Sequence, residues 1–166
     1  MDIWGMDLGE EKRYTVMHKI QLVIKSDPED VSLVSAAVRG VNSHLDIQRE
    51  DSESIVLGMV EAINNCIEHA YQNKYSEEIK IDYRIESDVI NIEISDHGIT
   101  MEKEPNFDLP DDLETESGRG WFIIGACFDK VEYQSENGLN VLALQKIYNL
   151  HSFPTRRSSD HRKSVV

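Results

Sequence analysis

Ile79, Ile81, Tyr83 and Ile85 fall at every second position, and after Ser87-Asp88 so do Ile90, Ile92 and Ile94. Alternation of period two gives each of two strands one apolar face, and the short Ser87-Asp88 link predicts a hairpin. Such a pair cannot stand alone in water; its apolar face needs a covering layer.

The rest of the chain supplies that layer. Tyr14, Val16, His18, Ile20, Leu22 and Ile24 alternate and predict an earlier strand, with His18 a packed or edge histidine rather than a catalyst. Asp27-Pro28-Glu29 then predicts a helix start. Asp27 can cap, Pro28 fits the first turn, and Glu29 and Asp30 favour the positive end of the helix dipole. Val31, Val34, Val38, Val41 and Leu45 make its buried stripe. A second helix is expected to open near Asp51-Ser52 and run to about Gln72, with Val56, Met59, Val60, Ile63, Ile67 and Ala70 on one side. Trp121, Phe122, Ile123, Ile124, Ala126, Cys127 and Phe128 predict a third helix, buried on most sides. A last hairpin joins Val131-Glu132-Tyr133 to Val141-Leu142-Ala143-Leu144 through Asn137-Gly138. The order β-α-α-β-β-loop-α-β-β predicts an α+β fold, a two-layer α/β sandwich in which about three helices cover a mainly antiparallel sheet.

Three stretches stand apart. Residues 1–12 have no period and are expected to be a loose N-terminus, leaving a single domain over residues 13–150. Residues 100–117 break every period, contain Pro105 and Pro110, and carry seven acids against one lysine. A linker of that length is a mobile functional loop or a disordered insert. Residues 151–166 have no core residue after Phe153. Ser152 to Asp160 resembles the translation of a widely used short-read sequencing adapter, and Arg162 to Val166 resembles the same adapter read from its other strand. This tail is expected to be non-native, an assembly artefact joined to a shortened gene.

Charge limits the partners. The formal net charge is −14, and the last sixteen residues are locally basic, so the first 150 residues are more acidic still. Such a chain repels phosphate backbones, which argues against direct nucleic-acid binding and favours a partner with a basic surface. Cys66 and Cys127 lie in apolar runs and are expected to be small buried hydrophobes rather than a disulfide or a metal site. There is no secretory signal and no apolar run long enough to span a bilayer, so no membrane association is expected and the cytoplasm is the expected compartment.

Three short motifs carry the chemistry. Glu61 and Asn65 are four apart and stand one turn above the other on the second helix. A carboxylate stacked on a carboxamide suits magnesium, or a water held beside it, because magnesium takes few protein ligands, all oxygen. Asp96 ends a strand, where it can accept from an exocyclic amine, and Gly98 would let the backbone come close to a flat base. Gly118-Arg119-Gly120 opens a helix, where free backbone N–H groups form an anion site and Arg119 can add charge-assisted bonds to a phosphate. Each motif alone is common on solvated helix faces or in turns; the three together are specific.

Together they resemble the Bergerat-fold ATPases, the superfamily of gyrase, histidine kinases and MutL. Within that group the chain looks most like the small anti-sigma factor serine kinases of bacteria, over roughly residues 13–147. Glu61-Ala62-Ile63-Asn64-Asn65, with His69-Ala70, matches the N box. Asp96-His97-Gly98 matches the first glycine box, and Gly118-Arg119-Gly120 with Trp121-Phe122-Ile123-Ile124 the second. One departure is Thr100, which stands where many members have a second glycine.

The resemblance implies roles. Asn65 would hold the magnesium of Mg-ATP. Glu61 would be the catalytic general base that takes a proton from a serine hydroxyl. Asp96 would bind the adenine amino group, with Gly98 beside the base. Gly118, Arg119 and Gly120 would contact phosphates, and residues 100–117 would be the ATP lid. It also implies a sigma factor as a sequestered partner, an anti-anti-sigma (STAS-type) protein as the phosphorylated one, and a homodimer, for which the first strand and helix are the candidate contact. Two rivals remain at this level: an ATP-gated anti-sigma binding module with little kinase activity, and a detached histidine kinase catalytic domain. The second calls for a preceding helical hairpin bearing a phosphoacceptor histidine, whereas twelve residues precede the first strand here. A weaker third is a regulator fused to a phosphatase.

Overall fold

The alternating segments pair in the way their periods require. The computed structural model describes residues 18–109 and 119–148. These form β1 (His18–Lys25), α1 (Pro28–His44), α2 (Arg49–Asn65), a π-helical turn (Cys66–Ala70), β2 (Glu78–Ile85), β3 (Val89–Asp96), α3 (Arg119–Cys127), β4 (Lys130–Glu136) and β5 (Leu139–Ile147). The five strands make one sheet in the order β1-β2-β3-β5-β4, every neighbouring pair antiparallel. The expected α+β sandwich is what forms. Residues 1–12, Tyr14, Val16, the 110–117 part of the expected lid, Gly118 and the 151–166 tail lie outside the described residues.

Register follows parity. Ile81 stands opposite Ile94 and Tyr83 opposite Ile92 across β2 and β3, and Ile92 and Ile94 in turn face Leu144 and Leu142 of β5. All the alternating apolar residues therefore share the face under the helices, where Ile79, Ile81, Ile90, Ile92, Ile94 and Leu144 are fully buried. Each such side chain contributes about 1.5–3 kcal/mol of transfer from water. The opposite face stays polar. Asp82 accepts from Gln21 Nε2 at 2.7 Å and pairs with the ammonium groups of Lys80 and Lys19, and Arg84 pairs with Glu93.

Local signals set the helix ends. The Asp27 carboxylate accepts from the Glu29 N–H at 2.9 Å, and Pro28 occupies the first turn of α1. Val31, Val34 and Val38 are buried against the sheet. Inside, Tyr83 Oη donates to Asn42 Oδ1 at 2.7 Å and Asn42 Nδ2 donates to Ser52 Oγ at 3.1 Å, tying β2, α1 and α2 together through a satisfied polar contact. The β4–β5 turn holds Asn137 at φ 53° and Gly138 at φ 78°, the left-handed pair that an Asn-Gly hairpin supplies.

Two expectations are corrected. The second helix starts at Arg49, and it does not continue as an α-helix to Gln72. From Cys66 to Ala70 the ladder loosens to a π-helical turn, closed by the Tyr71 N–H donating to Cys66 O at 2.9 Å, and Gln72 and Asn73 then adopt positive φ. The periodic apolar residues continue through this change, so periodicity could not mark it. The third helix is half-buried rather than buried on most sides. Ile124 and Cys127 are enclosed, Trp121, Phe122 and Ile123 are partly exposed, and Ala126 is exposed. The reason is position. α3 packs mainly on α2, where Gly58 lets Cys127 and Phe128 come in; a Cβ at Gly58 would stand 2.8 Å from Cys127 Cβ and collide with the Phe128 ring.

Candidate functional site

α2, the end of β3 and the start of α3 converge on one cavity of about 380 Å³. Asn65, Asp96, Met101, Trp121, Tyr133 and Asn140 are among the residues that line it. Glu61 and Asn65, one turn apart on α2, flank the first turn of α3. A Cβ placed on Gly120 would lie 3.3 Å from Asn65 Oδ1 and 3.4 Å from Glu61 Oε2. The glycine thus brings the α3 N-terminus against both side chains, where any larger residue would crowd them.

The Asn65 amide is unsatisfied at its nitrogen. Asn65 Nδ2 is a buried side-chain polar atom without a hydrogen-bond partner, the one such atom among the described residues. A buried polar atom without a partner is costly and calls for an occupant. Because an amide presents oxygen or nitrogen after a half-turn of its plane, Asn65 can offer a carbonyl oxygen there. Glu61 beside it is partly buried. That burial, with the Glu68 carboxylate two turns along, raises its carboxyl above the usual glutamate range. A carboxylate so raised is a stronger proton acceptor.

Asp96 lines the same cavity from the end of β3, 5% exposed. Its two oxygens differ. Oδ1 accepts from the Gly98 N–H and from Asn140 Nδ2, both at 2.8 Å. Oδ2 has the Cys66 thiol at 3.5 Å, a weak donor, and so keeps acceptor capacity on a residue that lines the cavity. Burial, with the Asp96 carboxylate next, pushes the Cys66 thiol well up, so it stays protonated; Cys66 and Cys127 are both buried free thiols.

The other expected site residues fall as follows. Arg119 and Gly120 form the first turn of α3, while Gly118 lies outside the described residues. Gly98 is needed for a different close approach from the one its motif suggests. A Cβ there would collide with the Ala70 carbonyl and stand 2.7 Å from Ala70 Cβ, and the Ile99 N–H donates to Ala70 O at 2.8 Å. The glycine locks the strand end onto the π-helical turn. A π-turn at a cavity wall is a frequent mark of a functional site.

Sequence reading missed Asn140, Tyr133 and the wall formed by Trp121. A signal for the first was present. Asn140 shares parity with Leu142 and Leu144, and a polar residue on the apolar side of a strand is informative. Tyr133 follows Val131 in the same way. Thr100, at the expected departure, donates to Asn140 Oδ1 at 3.1 Å, and so does Tyr133 Oη.

Known proteins share this arrangement of elements. A family model described as the histidine kinase-like ATPase domain matches residues 24–146. The chain is 28% identical over 141 residues to the serine-protein kinase RsbW of Listeria monocytogenes, covering 80% of this chain and 90% of that protein. It is 28% identical over 156 residues to the serine-protein kinase RsbW of Bacillus pumilus, covering 88% and 92%. Among solved structures, the RsbU and RsbW domains of a Mycobacterium tuberculosis protein superpose with a TM-score of 0.60 at 15% identity, over 79% of this chain and 32% of that longer one. No helix among the described residues is long and apolar enough to cross a membrane.

Proposed function

The chain belongs to the histidine kinase-like ATPase family, and from that premise we propose that it is an anti-sigma factor with serine/threonine kinase activity. It binds Mg-ATP in the cavity between Asn65 and Asp96, holds a sigma factor inactive, and phosphorylates a serine or threonine of an anti-anti-sigma (STAS-type) partner. The relatives named as serine-protein kinases, matched over nearly their whole length, support the activity. The observation that carries the site is the meeting of Glu61 and Gly120 at Asn65, which lines the same cavity as Asp96.

The assignments follow from chemistry. Asp96 Oδ2 takes the adenine amino group. The N–H groups at the start of α3, with Arg119, Gly118 and Gly120, take the phosphates. Magnesium fits the donor set, since Asn65 has a buried amide without a partner and Glu61 adds a carboxylate nearby. Asn65 holds the ion, which when bound neutralises phosphate charge. Glu61 accepts the proton of the serine hydroxyl as the phosphoryl group moves to it. Phosphoryl transfer needs positioning and charge compensation more than covalent help, and one glutamate in reach of the hydroxyl is sufficient as a base. The acidic balance of the chain suits a basic sigma-factor surface. A cytoplasmic homodimer using β1 and α1, a single domain over residues 13–150, and residues 100–117 as the lid complete the reading.

Glu61→Gln tests it. The variant is expected to bind Mg-ATP within about threefold of the wild type and to lose at least a hundredfold in transfer of the γ-phosphate to an anti-anti-sigma protein. Equal transfer by both would remove Glu61 from the reaction. Binding of ATP and of a sigma factor, without transfer by either form, would leave the ATP-gated binding module.

A further inference from the structure

The carboxamide of Asn140 is the most fully engaged polar group beside the cavity. It is 1% exposed. Its Nδ2 donates to Asp96 Oδ1 at 2.8 Å and to Gly98 O at 3.1 Å, and its Oδ1 accepts from Thr100 Oγ1 and Tyr133 Oη, each at 3.1 Å. That uses both of its hydrogens and both of its lone pairs.

The orientation of this amide follows from its neighbours. A backbone carbonyl and an ionised carboxylate can only accept, so the group between them must be the NH₂. On the other side, Tyr133 Oη receives the Met101 N–H at 3.1 Å, which leaves its own hydrogen for Asn140. Thr100 Oγ1 lies 3.0 Å from Ser135 Oγ, which can donate to it in the same way. Two hydroxyls therefore hold Oδ1, and holding Oδ1 holds Nδ2 on Asp96.

We propose that Thr100 and Tyr133, acting through Asn140, are positioning residues that set the base specificity of this site. With the amide fixed, Asp96 Oδ1 is saturated by two donors and Oδ2 is turned to the cavity as an acceptor. The site then takes a purine with an amino group at the 6-position and rejects one with a carbonyl there. Without donors on its Oδ1 the amide would be anchored at one end only, and its grip on Asp96 Oδ1 would slacken. The carboxylate would then be free to rotate, and its preference for an amino group would fall. Thr100, at a position where a glycine resemblance would leave no side chain, supplies one of the two hydroxyls. Pairing of Thr100 with Asn140 is thus a feature of this chain's own residues. The inference rests on the nucleotide reading above, and its test separates the two.

The readout is the ratio of affinities for Mg-ATP and for magnesium inosine triphosphate, measured by calorimetry on the full chain. Thr100→Val with Tyr133→Phe removes both hydroxyls from Oδ1. Asn140 then keeps its NH₂ between the Asp96 and Gly98 acceptors but loses both bonds at its other end, so its hold on Asp96 Oδ1 slackens and the ATP preference is expected to fall on the order of tenfold. Thr100→Val alone, at an exposed position unable to disturb the core, is expected to lower it by about threefold, and decides the matter if the double variant does not fold. A purely structural role would weaken both nucleotides alike, and an unchanged ratio in folded variants of a wild type that binds ATP overturns the inference while the nucleotide reading stands. A folded wild type that binds neither nucleotide overturns both.

Discussion

Asp96→Asn changes one atom of the cavity wall, and the surrounding hydrogen bonds dictate where that atom goes. Two donors, the Gly98 N–H and Asn140 Nδ2, converge on the position of Oδ1. An asparagine at 96 must keep its carbonyl oxygen there, since placing NH₂ against two donors would leave three buried groups unpaired. Its NH₂ therefore takes the place of Oδ2 and faces the cavity, and the acceptor for the adenine amino group becomes a donor. A hydrogen bond to a charged group, worth about 1.5–3 kcal/mol, is lost, and the opposed donors add about 1–3 kcal/mol of unmet desolvation. The sum is about 2.5–6 kcal/mol, or roughly sixtyfold to twenty-thousandfold in Kd. The fold should barely respond, because every internal bond of the residue but the weak thiol contact is retained. Calorimetry with Mg-ATP, with thermal melting beside it, reads both quantities. Inosine triphosphate adds a sign, as the new NH₂ can donate to its carbonyl and its binding should weaken less than that of ATP. An Asp96→Asn protein with an intact melt and an ATP affinity within about threefold of the wild type would refute the assignment of Asp96 to the base.

Gly98→Ala drives a methyl group into the Ala70 backbone and displaces the Ile99 N–H from Ala70 O. Overpacking of about 1–3 kcal/mol with one hydrogen bond at about 1 kcal/mol predicts a Tm lower by roughly 6–15 °C, and an unchanged Tm would mean that the π-turn yields freely. Glu68→Gln removes the like charge that, after burial, raises the Glu61 carboxyl. Because the base acts when deprotonated, the acid limb of the phosphotransfer pH profile should move to lower pH, and a limb that stays in place would show that Glu68 does not act on the titrating group.

The sheet was legible because period two and burial have the same cause. Each of Ile79, Ile81, Ile90, Ile92 and Ile94 lies on the face its parity assigns, since a strand turns alternate side chains to opposite sides. Asp27-Pro28 and Asn137-Gly138 were legible for a related reason: a cap and a left-handed turn are decided by the residues that make them. The π-turn at Cys66–Ala70 was not, because the apolar spacing tolerates one looser turn. The exposure of α3 was not either. Composition reports how apolar a helix is, and position in the layer decides how much of it is covered.

The same division holds at the site. Glu61, Asn65, Asp96 and Gly120 were legible in motifs whose chemistry suits a nucleotide, because their spacing fixes neighbours on one helix turn or one strand end. Packing between separate elements is what sets Gly98 against the Ala70 backbone, leaves Asn65 Nδ2 without a partner, and joins Thr100, Tyr133 and Asn140 beside Asp96. Thr100 and Asn140 are forty residues apart. They touch because the β3–β5 register sets Asp96 opposite Asn140, and that register comes from packing the apolar faces of separate strands, which no local stretch of chain encodes.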